Sequence, residues 1–169
     1  MHGKQLILLF LLIFGIIVSQ LILPVSAGES NQQENESTGN ESVGTVVIAT
    51  VEGDLHIYGK DSIATAFEEA GFEVNNLGTG ISTEDFVSNA TEKEADFVFS
   101  SASMSTTMIH QIQIEEQLKA AGIRDKVITG VLGSLVTQAW ADQIGADIYI
   151  EGPEDAVSKA SALLNNSNL

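Results

Sequence analysis

From residue 45 onward, short apolar runs alternate five times with helix-length segments, and this alternation restricts the possible folds more than any other feature of the chain. Strand-like runs cover residues 45–51, 72–77, 95–99, 126–132 and 147–150. Helix-like segments cover 62–70, 83–91, 107–121, 137–144 and 153–164. In the first of these, Ile63, Ala66, Phe67 and Ala70 recur at helical spacing and define one buried face. Gly71, Gly122 and Gly145 each follow a helix, where a left-handed C-terminal cap is expected. Pro153 suits the first turn of the last helix. Strands that alternate with helices imply a parallel sheet covered on both faces.

Five such units favour an α/β domain of flavodoxin-like, Rossmann-like type, with strand order 2-1-3-4-5 and helices on both faces. Its switch point lies between strands one and three, and ligands bind there, beyond the carboxyl ends of the strands. The first strand runs into Asp54-Leu55-His56-Ile57-Tyr58-Gly59, with Gly53 in front. An imidazole with a carboxylate two residues away supplies a metal ligand and a group to orient its ring. The glycines on either side let another surface approach the backbone. No second His or Cys and no suitably spaced carboxylate pair supports a site built from several protein ligands. Whatever His56 holds must bring most of its own coordination sphere, as a tetrapyrrole-type macrocycle does. After strand three, residues 100–108 carry six hydroxyls, Ser100, Ser101, Ser103, Ser105, Thr106 and Thr107. One or two are expected to cap the following helix, and the others to bond a ribose, a phosphate or a base edge. After strand four, Gly130 and Gly133-Ser134 leave room for a flat ligand group or form a plain turn.

The amino end has a different character. Lys4 precedes an apolar stretch over residues 6–23, followed by Val25 and Ala27 in the pattern of a cleavage site. Residues 1–27 are therefore expected to be a secretory signal peptide, or an uncleaved membrane anchor through residues 6–23. Both place the rest of the chain outside the cytoplasm, secreted or held at the cell surface. Residues 28–44 are acidic and polar, and are expected to form a disordered stalk. Asn35, Asn40, Asn89 and Asn165 each begin a glycosylation triplet. There is no cysteine, so residues 45–169 must hold together by their core. A net charge of −16 repels phosphate backbones, which excludes nucleic acid as a partner.

The folded part resembles the cobalamin-binding domain of methionine synthase and, more closely, the small corrinoid proteins of methanol and methylamine methyltransferase systems. The motif Asp-x-His-x-x-Gly is complete as Asp54, His56 and Gly59. The flanking Thr50-Val51-Glu52-Gly53 and Lys60 match too, as do Ala70-Gly71-Phe72-Glu73-Val74 and Ala141-Asp142-Gln143-Ile144-Gly145-Ala146-Asp147. The resemblance implies a corrinoid cofactor with cobalt held from below by His56 and its own base displaced. It implies contacts from Gly53, Asp54, Leu55, His56, Ile57, Gly59, Ser101, Ser105, Thr107 and Gly133. The displaced nucleotide tail would pass beside Gly59, Ser101 and Gly133.

The chain departs from the family pattern at four places, the first being Ile57-Tyr58, where family members often have Asp-Ile after the histidine. Ser103 stands where the family has Leu, Leu132 replaces the first glycine of a Gly-Gly pair, and the expected signal and stalk occupy the position of the helical bundle that in the family shields the upper corrin face. The main expectation is an exported or membrane-tethered corrinoid carrier, rather than a stand-alone enzyme, that captures or hands on the cofactor, with an uptake protein or methyltransferase as partner. The alternatives are a methyl-carrier subunit of a methyltransferase system and a flavodoxin-like interaction module that has lost its ligand.

Overall fold

The computed structural model describes residues 42–167. The expected signal or anchor, and most of the expected stalk, lie outside the described residues. Within them the sheet has five parallel strands in the order β2-β1-β3-β4-β5: β1 (Thr45–Val51), β2 (Glu73–Ile81), β3 (Phe97–Ser101), β4 (Ile128–Leu132) and β5 (Ile148–Tyr149). The helices are α1 (Tyr58–Glu69), α2 (Thr83–Glu92), α3 (Ile109–Ala120), α4 (Gln138–Ile144) and α5 (Pro153–Ser167). The expected strand order is observed, and β1 and β3 lie side by side at the switch point.

The period-two geometry of a strand sends alternate side chains to opposite faces. Val46 and Ile48 of β1 pack under α1 and α5 with Phe67, Phe72, Phe97, Phe99 and Ala156. Val47, Ala49 and Val51 pack under α2 and α3 with Phe86, Val98, Ile114 and Leu118. Phe67 sits among three other rings, with centroids 4.9 Å from Phe72 and 5.3 Å from Phe99. A fully buried phenylalanine in such a cluster is worth roughly 3–5 kcal/mol against alanine. Ser82 caps α2 by accepting from the Asp85 amide at 3.1 Å, and Thr137 caps α4 from the Trp140 amide at 3.2 Å. Gly71, Gly122 and Gly145 all have positive φ, as expected after helices.

Several boundaries move. Ordered structure begins before residue 45, because the Val43 amide donates to Gly71 O and Gly44 O accepts from Glu73. Val43 and Gly44, the last two residues of the expected stalk, therefore belong to the domain. β2 continues past the expected end at residue 77 through Gly78-Thr79-Gly80 to Ile81, with two register shifts against β1. β4 begins at Ile128 and not at Lys126, which closes a 3-10 turn over Arg124–Lys126. Gly130 opens no route for a ligand. A Cβ there would lie 2.5 Å from the Phe99 ring, so this glycine makes room for the core.

Candidate functional site

β1 ends in the turn Glu52-Gly53, where Gly53 takes φ +76°, and the chain then drops Asp54 into a fully buried position. A bare buried carboxylate would be very costly, so its partners define the site. Asp54 Oδ1 accepts the His56 amide at 3.0 Å and faces His56 Nδ1 at 2.6 Å. Asp54 Oδ2 accepts the Ser103 amide at 2.6 Å. It also lies 3.1 Å from Thr107 Oγ1, whose single proton it shares with Met104 O. Burial alone would raise the Asp54 carboxyl. The amides of Ser103 and His56, the His56 ring and the Thr107 hydroxyl outweigh it and hold the group below the usual carboxylate range.

An ionised Asp54 only accepts hydrogen bonds, which fixes the proton of neutral His56 on Nδ1 and leaves the Nε2 lone pair available. Among the described residues Nε2 has no hydrogen-bond partner, and the side chain is 62 % exposed. The His56 carbonyl is held as well, accepting from the buried Thr50 hydroxyl at 2.8 Å. One protein ligand is thus aimed outward from the carboxyl rim of the sheet. Among the described residues no group of three or more His, Asp or Glu could hold a metal ion, so a bare ion has no protein cage here.

Beside His56 lies a cleft of about 490 Å³ whose wall includes Tyr58, Gly59, Ser101, Ser103, Leu132 and Gly133, and which extends to residues 149–153 after β5. That volume falls within the ~300–1,000 Å³ range of small-ligand and cofactor sites. Gly59 supplies an independent test of fit. It occupies the first turn of α1 without a positive φ, and a Cβ on it would meet no protein atom within 4 Å. Nothing in the protein requires glycine there, whereas a group lying in the cleft would. Gly133 differs: at φ +142° its Cβ would fall 1.8 Å from Ala102 O, so the backbone itself demands glycine. The residues present fit a macrocycle with a side arm: one axial nitrogen, a slot beside it, and a glycine facing that slot.

The fate of the other expected residues is mixed. Ser101 is buried at the end of β3 and lines the cleft. Gly53 packs under Thr107, with Cγ2 3.6 Å from where a Cβ would sit. Leu55 and Ile57 are exposed on the rim beside Tyr58. Ser105 and Thr106 are also exposed and form no part of the cleft wall. The expectation that this hydroxyl row caps α3 is corrected: its N-cap is Met108, with no side-chain cap, and Thr107 turns inward to Asp54 instead. Ser103 lacks the apolar side chain of the family position, while its main-chain amide, which any residue there would supply, bonds Asp54.

Two features escaped sequence reasoning. The far cleft wall comes from residues 149–153, beyond a strand of only two residues. Gln111 is buried within α3 and reaches Ser100 O at 2.8 Å and Leu132 O at 3.3 Å, while Trp140 Nε1 donates to its Oε1 at 2.9 Å. It ties the carboxyl ends of β3 and β4 together beneath the cleft.

A doubly wound α/β domain with one outward imidazole, a buried carboxylate behind it and a slot at its side defines a macrocycle-binding module. The comparisons agree, and the chain belongs to the B12 binding domain family, whose match covers residues 44–161; its cofactor is a cobalamin or related corrinoid. The trimethylamine corrinoid protein 1 of Methanosarcina acetivorans is 52% identical over 133 residues, which are 79% of this chain and 62% of that protein. The chain thus spans about six-tenths of the length of such curated relatives (62%). The solved monomethylamine corrinoid protein of Methanosarcina barkeri is 28% identical with a TM-score of 0.68, over 71% of this chain and 57% of that one. The methanol:cobalamin methyltransferase complex of the same organism matches with a TM-score of 0.69 at 26% identity, over 79% of this chain and 49% of that one.

Proposed function

We propose that this chain is the corrinoid-carrying component of a methyltransferase system, with His56 Nε2 as the lower axial ligand of cobalt. The bound corrinoid supplies a cobalt centre that accepts a methyl group and gives it up. The chain's own residues orient and insulate that centre. Asp54 keeps the His56 proton on Nδ1 and makes the ring a better donor through Nε2. Thr107 and the Ser103 amide hold Asp54 ionised in a buried position. Ser101 and Gly59 line the slot for the displaced side arm. Leu55, Ile57, Tyr58, Ile109 and Leu135 are the exposed apolar side chains that follow the carboxyl ends of β1, β3 and β4. Such a cluster suits the apolar face of a macrocycle or a docked partner better than bulk water. The observation that carries the reading is the free Nε2 at the mouth of the cleft, backed through Nδ1 by a buried carboxylate.

The methyl-carrier role, rather than simple capture, is favoured by the names of the relatives, which belong to methylamine and methanol systems. To test it, the chain is mixed with hydroxocobalamin, freed of unbound ligand and examined by its visible spectrum. Retention that His56→Ala abolishes is expected. Equal retention by both proteins refutes His56 as ligand, and retention by neither leaves a flavodoxin-like module without its cofactor. The bound cofactor is then reduced to cobalt(I) with titanium(III) citrate under anaerobic conditions, and methyl-labelled trimethylamine and a cognate methyltransferase are added, so that methyl transfer leaves dimethylamine. Label should reach the protein-bound cofactor only in the complete mixture, and its absence there refutes the carrier role.

Location outside the cytoplasm is a separate proposal, resting on the apolar residues 6–23 and the acidic segment after them. Protease treatment of intact cells should degrade the domain, and full protection refutes export.

A further inference from the structure

The hydroxyl of Thr50 has one bonding partner among the described residues, the main-chain carbonyl of His56 at 2.8 Å. Thr50 is fully buried in β1, at the turn in the alternation where Val46 and Ile48 send apolar side chains into the core under α1. Its position therefore calls for an apolar residue, and a buried hydroxyl there is unfavourable unless it is bonded. The segment it reaches has little other anchorage. Leu55, His56, Ile57, Tyr58 and Gly59 are all exposed, and Ile57, the N-cap of α1, makes no side-chain capping bond. Asp54 holds the amide and the ring of His56, and Thr50 holds the carbonyl.

Resting on the reading of His56 as the axial ligand, we propose that Thr50 is a positioning residue for the cobalt ligand. It clamps the His56 main chain from inside the sheet, so that the imidazole stands ready before any cofactor arrives. An amide held from one side and a carbonyl from the other fix the peptide planes on both sides of His56. The ring can then turn only about its own side-chain bonds, one of which Asp54 already restrains. The ordering cost of the ligand is thereby met on folding and not on binding.

The test uses the full chain prepared with ¹⁵N, as wild type, Thr50→Val and Thr50→Ser, each loaded with unlabelled cobalamin. Thr50→Val is isosteric and suits a strand, so the domain folds, and Thr50→Ser restores the hydroxyl. Two quantities are read: affinity by visible titration, and the splitting of the cobalt(II) electron paramagnetic resonance signal by the axial nitrogen. A protein ¹⁵N gives a doublet, whereas the cofactor's own ¹⁴N base gives a triplet. Thr50→Val should bind about three- to tenfold more weakly, the size of one lost neutral hydrogen bond. It should also show a smaller doublet fraction, and Thr50→Ser should return both values to within about twofold of wild type by the same reasoning. A merely structural hydroxyl would shift the urea midpoint without changing the doublet fraction, and that result overturns the proposal. A wild-type doublet that Thr50→Val leaves unchanged also overturns it, with the reading of His56 intact. A wild type with no doublet overturns the His56 reading and the clamp with it.

Discussion

Replacing Asp54 with asparagine keeps the size and shape of the side chain but puts a donor where an acceptor is needed. The carboxylate meets four donors, two on each oxygen: the His56 amide and ring on Oδ1, the Ser103 amide and the Thr107 hydroxyl on Oδ2. If the new amide nitrogen takes the Oδ2 position, it faces the Ser103 N–H, donor against donor, across 2.6 Å. If it takes the Oδ1 position, it faces the His56 N–H at 3.0 Å and forces the ring proton off Nδ1. The Thr107 hydroxyl can rotate to Met104 O and loses little. One backbone N–H is stranded in either orientation, which costs about 1–3 kcal/mol, and the remaining bonds lose their charge assistance. The total is about 2–4 kcal/mol of folding stability, from which relief of the buried charge subtracts little because four donors had compensated it. At about 4 °C per kcal/mol for a domain of this size, the melting temperature should fall by roughly 8–16 °C. Urea unfolding followed by far-ultraviolet circular dichroism at pH 7 measures the change directly. Corrinoid affinity should fall about 10–100-fold, as it does when the group behind a metal-bound histidine is lost. An Asp54→Asn protein within about 0.5 kcal/mol of wild type, the scatter of ordinary surface changes, would refute the reasoning.

Two glycines should separate folding from ligand binding. Gly59→Ala is expected to leave stability unchanged or raise it by about 0.5–1 kcal/mol, as at a helical site with free space, yet to weaken corrinoid retention. Gly133→Ala should cost about 2–4 kcal/mol, since its Cβ collides with Ala102 O at a left-handed φ; paired melting curves and cobalamin titrations check both. Lys60 is buried with its ammonium on Asp61 and on Asn76 Oδ1 at 2.6 Å, but both partners keep access to water. Lys60→Met should therefore stay within about 1 kcal/mol of wild type in urea, while Lys60→Ala should lose about 2–4 kcal/mol to the cavity. Burial raises the Glu115 carboxyl above its ordinary value despite Thr129 and Arg124, whose Nε lies 2.5 Å away. A raised acid binds its proton more tightly in the folded state, so its contribution is present below the unfolded value and lost as pH rises through the folded one. The stability of Glu115→Gln relative to wild type should accordingly increase between pH 4 and 7, and a flat or falling difference in urea midpoint refutes this.

The sheet was legible because its strands announce themselves on both faces. Val46 through Val51 is apolar except for Thr50, as suits a central parallel strand, and the helical spacing of Ile63, Ala66 and Phe67 marked α1. The edges were less legible. Gly78 and Gly80 take positive φ inside β2, where bulges accommodate them, so the strand runs past residue 77, where its apolar pattern ends. Ser100 and Ser101 look like loop residues, but ladder pairing with β1 and β4 keeps them in β3. At the site, Asp54 and His56 were visible because their side chains carry the chemistry. The Ser103 amide was not, since any residue at that position offers the same N–H. Thr107 was picked out by the resemblance together with Ser105, and composition alone shows six hydroxyls without telling which of them turns inward.

Gly59 and Gly133 also show why a motif match and a structural explanation are different kinds of evidence. Both glycines belong to the resemblance, and both line the same cleft. Gly133 would be required in this fold with no cofactor at all, because its conformation and the Ala102 carbonyl exclude a side chain. Its presence therefore says nothing about ligand binding. Gly59 sits in a helical turn that would be more stable with alanine, so the fold alone argues against it. The same contrast separates Asp54, a buried charge that burial disfavours, from the apolar residues around it, which the core explains. The positions that carry functional information are those where folding on its own would choose a different residue. In this domain Gly59, Asp54 and the buried hydroxyl of Thr50 all satisfy that condition, and Asp54 and Thr50 are bonded directly to His56.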